Sequence, residues 1–167
     1  MAYRSFSSVT ALAAAVVALS LAAVLPASAQ ASDPFEALKG EWKGGGTVTP
    51  MGGDPVPVAC KVTYDLSGES LAQNLRCAGE DTTIKTETKM TDKGGKVSGS
   101  WYEKSYDRTG GLNGTATDRT IHARISGDKF SGRMSINLTD KGHTINIMQL
   151  DKGSGTYRPV ASLALSQ

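Results

Sequence analysis

Aromatic residues, cysteines and histidines are scarce in this 167-residue chain: aromatics make up 6% of it, and it contains two cysteines and two histidines. Two cysteines with no histidine nearby cannot supply the four ligands of a structural zinc site. Acidic and basic residues nearly balance, with 16 Asp and Glu against 18 Lys and Arg. A formal charge of +2 gives no electrostatic footprint for nucleic acid or for an anionic membrane surface. We therefore expect no metal, no cofactor and no nucleic-acid partner.

Catalytic motifs are also absent. The chain has no Gly-x-Ser-x-Gly segment and no histidine pair at metal-binding spacing. His122 and His143 lie far along the chain, and we expect both to be exposed strand or turn residues rather than ligands. Since no nucleophile, base and stabilising group converge, we expect a binding protein and not an enzyme.

The long hydrophobic run of the sequence lies near its N-terminus. Arg4 precedes the apolar stretch 9–24, and the small-x-small triplet Ala27-Ser28-Ala29 follows it. This pattern predicts a signal peptide over residues 1–29, cleaved after Ala29. A membrane anchor is the alternative, but the run is rich in alanine and at the short limit for spanning a bilayer. We expect a periplasmic or secreted protein with no transmembrane segment in its mature chain, whose formal charge falls to +1 when Arg4 is removed.

The mature chain is predicted to form one domain. Residues 30–39 form an N-terminal arm with a short helical turn, capped by Ser32 or Asp33, with Pro34 at the first helical position and Gly40 as its stop. From residue 40 to 167, Thr, Val, Ile and Gly alternate with polar residues, and turn signals recur at short intervals. This is the pattern of a single all-β domain.

Four hairpins can be placed because opposed residues in an antiparallel pair share a face of the sheet. Predicted tips are Gly68-Glu69, Lys93-Gly94, Gly127-Asp128 and Asp140-Lys141. The first hairpin opposes Leu66 to Leu71, Tyr64 to Gln73, Val62 to Leu75 and Cys60 to Cys77; the second opposes Met90 to Val97, Thr88 to Gly99 and Thr86 to Trp101. The third opposes Ile125 to Phe130 and Ala123 to Gly132, and the fourth Ile136 to Ile145 and Met134 to Ile147.

The cysteines fall opposite each other in the first of these hairpins. Facing residues of an antiparallel pair are close enough for a disulfide, and an exported protein meets an oxidising compartment. We therefore predict a Cys60–Cys77 bond on the inward face.

The hairpins follow one another with one apolar and one polar face each. Such a sheet removes its edges most simply by closing. The sequence predicts an all-β fold, an antiparallel up-and-down β-barrel of about eight to ten strands with a short N-terminal helical turn, with a sandwich as the alternative.

Several inward positions of the middle strands are small, among them Gly99, Gly114 and Gly132. Glycine there either coils the strands tightly or leaves space for a small apolar ligand. The second interpretation predicts a cavity with few polar contacts. The residues expected to bind a ligand in it are Tyr64, Gln73, Leu75, Thr86, Trp101, Phe130, Met134 and Ile147.

Gly40-Glu41-Trp42, at the entry to the first strand after a helical turn, resembles the opening of the calycin barrels. These are the lipocalins, fatty-acid-binding proteins, avidins and bacterial metalloprotease inhibitors of the serralysin-inhibitor type. The resemblance implies that Trp42 closes the barrel base and that a late arginine, here Arg158, packs over it.

These features favour an exported, non-enzymatic binding protein of the bacterial envelope, which takes a small hydrophobic molecule or a protein partner. The alternatives are a periplasmic protease inhibitor and a structural envelope protein, both acting through protein contacts.

Overall fold

A computed structural model describes residues 1, 33–50 and 53–167 of the chain. Residues 2–29 of the expected signal peptide and the expected new N-terminus, Gln30, lie outside the described residues. Within the described ranges, no helix combines the length and apolar character needed to cross a membrane.

Ten antiparallel strands follow one short helix and close into a barrel in which each strand pairs with its neighbours in sequence and the last pairs with the first. This is the predicted all-β, up-and-down architecture. The elements are α1 (Pro34–Leu38), β1 (Gly40–Val48), β2 (Val56–Ser67), β3 (Ser70–Ala78), β4 (Thr83–Lys93), β5 (Lys96–Glu103), β6 (Arg108–Thr117), β7 (Thr120–Gly127), β8 (Ser131–Thr139), β9 (Gly142–Leu150) and β10 (Tyr157–Ser166).

The helical turn forms where its capping residues predict. Asp33 is the N-cap, and its side chain accepts a hydrogen bond of 2.9 Å from the Phe35 amide. Pro34 occupies the first turn, where its missing N–H costs nothing. Phe35 and Leu38 are buried, so α1 is held by packing against the barrel and not by its own length.

Two hairpins have the predicted register. β2 and β3 pair Leu66 with Leu71, Tyr64 with Gln73, Val62 with Leu75 and Cys60 with Cys77, and β8 and β9 pair Ile136 with Ile145 and Met134 with Ile147. The Cys60–Cys77 disulfide is formed, with its Cα atoms 4.1 Å apart. Both cysteines are buried, as their place on the apolar face predicts.

The other two predicted registers are wrong by two residues. β4 and β5 pair Thr88 with Trp101 and Met90 with Gly99, because the turn is Gly94-Gly95. Both glycines have positive φ, 63° and 82°, which is what a two-residue type I′ turn demands.

β7 and β8 pair Ile125 with Gly132 and Ala123 with Met134. Gly127 donates its N–H to the Phe130 carbonyl at 2.7 Å, which puts Asp128 and Lys129 at the tip. A register shift of two residues leaves each side chain on the same face of the sheet. The residues predicted to face inward therefore still face inward despite both errors.

The two ends of the barrel differ in their connections. At one end, which we call the base, the hairpins turn through two residues each, at 68–69, 94–95, 118–119 and 140–141, and α1 precedes β1. At the other end, the mouth, the connections are 49–55, 79–82, 104–107, 128–130 and 151–156. Because longer loops can splay while tight turns cannot, the mouth is the end at which the interior can open.

Candidate functional site

A cavity of about 220 Å³ occupies the mouth half of the barrel interior. Its walls are mainly aliphatic and aromatic, and they come from strands all around the barrel. They include Leu75, Ile84, Leu112, Ile125, Ile145 and Leu163. An apolar recess with a few polar side chains is the usual form of a small-molecule site.

Seven of the eight residues predicted for the ligand site line this cavity: Gln73, Leu75, Thr86, Trp101, Phe130, Met134 and Ile147. Tyr64 does not line it. It is buried nearer the base, where it pairs with Gly40 across β1 and β2 and hydrogen-bonds to Gln73. The alternation of inward residues therefore identified most of the wall, but it could not show which inward side chains border the open volume.

Trp101 forms one side of the cavity. Its ring lies against Gly110 and Gly127, where an added Cβ would come within 2.8 Å and 3.0 Å of the indole. The Phe130 ring packs edge-on against it, with centroids 6.0 Å apart. Two glycines and an aromatic neighbour thus fix the orientation of this indole.

The inward glycines do not create the cavity. A Cβ at Gly99, Gly114 or Gly132 would lie 1.9, 1.8 or 2.3 Å from a backbone oxygen of the adjacent strand. These positions are glycine because the neighbouring backbones approach closely. Of the two interpretations given above, this supports tightly coiled strands and not space left for a ligand.

A buried polar network separates the cavity from the base. The Gln73 amide donates to the Tyr64 hydroxyl at 3.0 Å, and that hydroxyl lies 3.0 Å from Nε2 of His143. Burial raises the pKa of Tyr64 and lowers the pKa of His143 to about 4. Both groups are therefore uncharged at neutral pH, and one of them donates the hydrogen bond to the other.

His143 is buried, at 2% exposure, so the prediction that it is an exposed residue is wrong. It follows the tight turn at 140–141 and faces inward beneath the network, where Nδ1 has no hydrogen-bond partner among the described residues. His122 is exposed on β7, as predicted.

Trp42 lies at the base, where its indole donates a hydrogen bond of 2.6 Å to the Leu38 carbonyl of α1. The expected packing of Arg158 over it is wrong. Arg158 lies at the mouth end of β10, 70% exposed, and pairs with Asp151 at 3.0 Å. The residue against Trp42 is His143, whose ring meets it edge-on at 4.7 Å.

Arg108 was missed by the sequence analysis, because the stretch 107–113 offered no clear register. It opens β6 at the mouth and lines the cavity together with Glu103 and Lys129. The signal was present: counting back by two from the buried Leu112 through Gly110 places Arg108 on the inward face. Thr88, Ile125 and Leu163 also line the cavity and were not predicted as site residues.

A second, shallower hollow lies on the outer face, over β6 to β9. Arg124 and Arg133 face each other across β7 and β8 there, and Arg133 stacks on the Tyr157 ring at 4.1 Å.

No family model and no curated protein matches the sequence. A solved structure of Rv2717c from M. tuberculosis is similar in fold, with a TM-score of 0.61 and 11% sequence identity over 78% of this chain and 92% of that one. At this identity the similarity concerns the fold alone.

Proposed function

We propose that this chain is an exported, non-enzymatic binding protein of the calycin type, and that it holds a small hydrophobic molecule in the mouth half of its barrel. The observation that carries the proposal is the apolar cavity bounded by Leu75, Trp101, Phe130, Met134 and Ile147. Close-packed interiors seldom leave such a space, so a persistent apolar cavity reaching the mouth favours a guest.

The volume of the cavity limits the size of the ligand. Since an apolar cavity of about 150 Å³ accommodates benzene, a volume of about 220 Å³ takes about nine non-hydrogen atoms. An eight-carbon alcohol is therefore a suitable probe.

Titration of the protein with 1-octanol, followed by tryptophan fluorescence and calorimetry, tests the proposal. Ala161 points inward on β10 and lines the cavity, whereas Ala164 on the same strand is exposed. We expect saturable binding that Ala161→Phe abolishes by filling the space and that Ala164→Phe leaves unchanged. Absence of binding to the unsubstituted protein, or equal loss in both variants, would contradict the proposal.

Export is supported by the N-terminal pattern and by the pairing of both cysteines of the chain in one disulfide. Protein recovered from the periplasm should have an intact mass that starts at Gln30. A mass that retains residues 1–29 would contradict export by cleavage.

The protease-inhibitor alternative has less support. It requires a free N-terminal arm or exposed loops, and Phe35 and Leu38 of the arm are buried against the barrel. A structural envelope role has no feature of its own in the described residues.

A further inference from the structure

Four basic side chains lie side by side on the outer face of β1 to β4. Lys61 of β2 pairs with Lys43 of β1 on one side and with Arg76 of β3 on the other. Arg76 in turn pairs with Lys85 of β4, and all four residues are exposed. We call this set the basic row. Because neighbouring strands lie about 4.8 Å apart, the row extends for about 14 Å across the strands.

The basic row opposes the stability of the sheet, since like charges directly opposite each other are destabilising. The described residues form three ion pairs, which are Lys104–Glu87, Arg119–Asp140 and Arg158–Asp151. No member of the row therefore has an acidic side chain within 4.0 Å in this part of the chain, which contains every Asp and Glu of the sequence. The repulsion is not compensated by the protein itself, and an anionic partner would relieve it.

The disulfide fixes the centre of the basic row. Lys61 follows Cys60 on β2, and Arg76 precedes Cys77 on β3. The two cysteines are buried and bonded, with their Cα atoms 4.1 Å apart, whereas the two basic residues are exposed on the other face of the sheet. The covalent bond therefore prevents a register slip that would separate Lys61 from Arg76.

The surface beside the basic row is uncharged on the side of the mouth. The next outward positions of the four strands carry small side chains or none, and they are Gly45, Ala59, Ala78 and Thr83. On the side of the base, Glu41 and Glu87 lie at the two ends of the adjacent row, and Glu87 already pairs with Lys104. An extended anion can therefore approach the basic row from the side of the mouth without meeting a carboxylate.

We propose that the basic row binds a linear anionic polysaccharide, which lies across β1 to β4 with successive acidic groups against successive strands. A polymer with regularly spaced charges suits the row better than a small anion, because the ends of the row lie about 14 Å apart. Single-stranded nucleic acid is less suited, since its bases stack on aromatic side chains and no aromatic residue occupies the row or the four small positions beside it. The proposal does not require a ligand in the cavity, because the row lies on the outer face.

Calorimetric titration of the disulfide-bonded protein with an alginate octamer, a chain of eight uronic acid residues, tests the proposal at a series of salt concentrations. Two double variants remove the same charge. Lys61→Gln/Arg76→Gln removes the centre of the basic row. Arg124→Gln/Arg133→Gln is the matched control, because these two arginines are also exposed and also face each other, but across β7 and β8.

We expect Lys61→Gln/Arg76→Gln to bind the octamer about tenfold more weakly than the unsubstituted protein, since two exposed charge pairs are lost. A plot of log association constant against log salt concentration should have a slope of about −3 for four contacts, and about half of that in this variant. The control variant should keep both the affinity and the slope. Because Lys61→Gln/Arg76→Gln also removes repulsion, its melting temperature should be equal or higher.

Several results would overturn the proposal. Absence of binding to the unsubstituted protein would do so, as would equal weakening in both double variants, which would show a response to net charge alone. A lower melting temperature of Lys61→Gln/Arg76→Gln with unchanged affinity would assign the basic row a structural role. Tighter binding of an oligothymidylate of equal charge, or cosedimentation with phosphatidylglycerol vesicles that the octamer does not inhibit, would assign the row to nucleic acid or to an anionic membrane instead.

Discussion

At the base of the barrel, four two-residue turns, the helix α1 and the Trp42 indole close the interior. At the mouth, longer connections leave a cavity, and the Trp101 indole has no hydrogen-bond partner among the described residues. The two tryptophans of the chain thus have opposite environments. Trp42 is packed and its indole N–H is hydrogen-bonded, whereas Trp101 borders the cavity. The difference shows that one alternating sheet can enclose a packed core at one end and border an open cavity at the other.

The largest expected contrast is in the free energy of unfolding when each tryptophan is truncated. Trp42→Ala removes a buried ring and its hydrogen bond to α1, and should cost about 4 kcal/mol. Trp101→Ala removes a half-buried ring beside an existing cavity and should cost about 1 kcal/mol. Urea denaturation of both variants measures the difference. An equal or larger cost for Trp101→Ala would show that the mouth is a packed core.

A smaller effect distinguishes close backbone approach from open space. Gly132→Ala places a methyl 2.3 Å from the Met148 carbonyl oxygen and should cost about 2 kcal/mol of stability. Gly111→Ala is the matched control, because its nearest atom would be 3.7 Å away, and it should change stability by less than about 0.5 kcal/mol. If thermal unfolding showed Gly132→Ala to be neutral, the inward glycines would be leaving space after all.

The base should also respond to pH. The pKa of His143 is about 4 in the folded protein and near its ordinary value of 6.5 in the unfolded chain. Between these values the unfolded chain binds a proton that the folded protein does not, so the free energy of unfolding falls as the pH decreases. The contribution of His143 to this fall should be about 3 kcal/mol.

His143→Gln should flatten the dependence of unfolding free energy on pH between 6.5 and 4, and His122→Gln, at an exposed position, should not. Chemical denaturation at a series of pH values provides the comparison. A variant that keeps the full slope would place the titrating group elsewhere.

Alternation and turn residues predicted most of the fold. The first hairpin was correct because its apolar residues and its cysteines agree on one register. The second and third were wrong because neighbouring glycines or polar residues allow two positions for the turn. In the second hairpin the turn position depends on positive φ at both Gly94 and Gly95. In the third it depends on the Gly127–Phe130 backbone hydrogen bond. The alternation of apolar and polar residues predicts neither the φ angles nor this hydrogen bond.

The candidate site was predicted less completely. Inward parity found seven wall residues, but it does not show which inward side chains reach the open volume: Tyr64 faces Gln73 across β2 and β3, and of the two only Gln73 lines the cavity. Arg108 was missed because the glycine-rich stretch 107–113 offered no clear register. Arg158 was placed by resemblance alone, and in the structure its position in β10 puts it at the mouth.

Methyl NMR of the six isoleucines during titration with 1-octanol tests most directly whether the two ends differ as described. Four of them line the cavity, namely Ile84, Ile125, Ile145 and Ile147, whereas Ile121 and Ile136 are fully buried toward the base. We expect saturable shifts in the four methyl signals of the cavity and none in the two of the base. Shifts of equal size in all six, or in none, would contradict a binding site confined to the mouth half of the barrel.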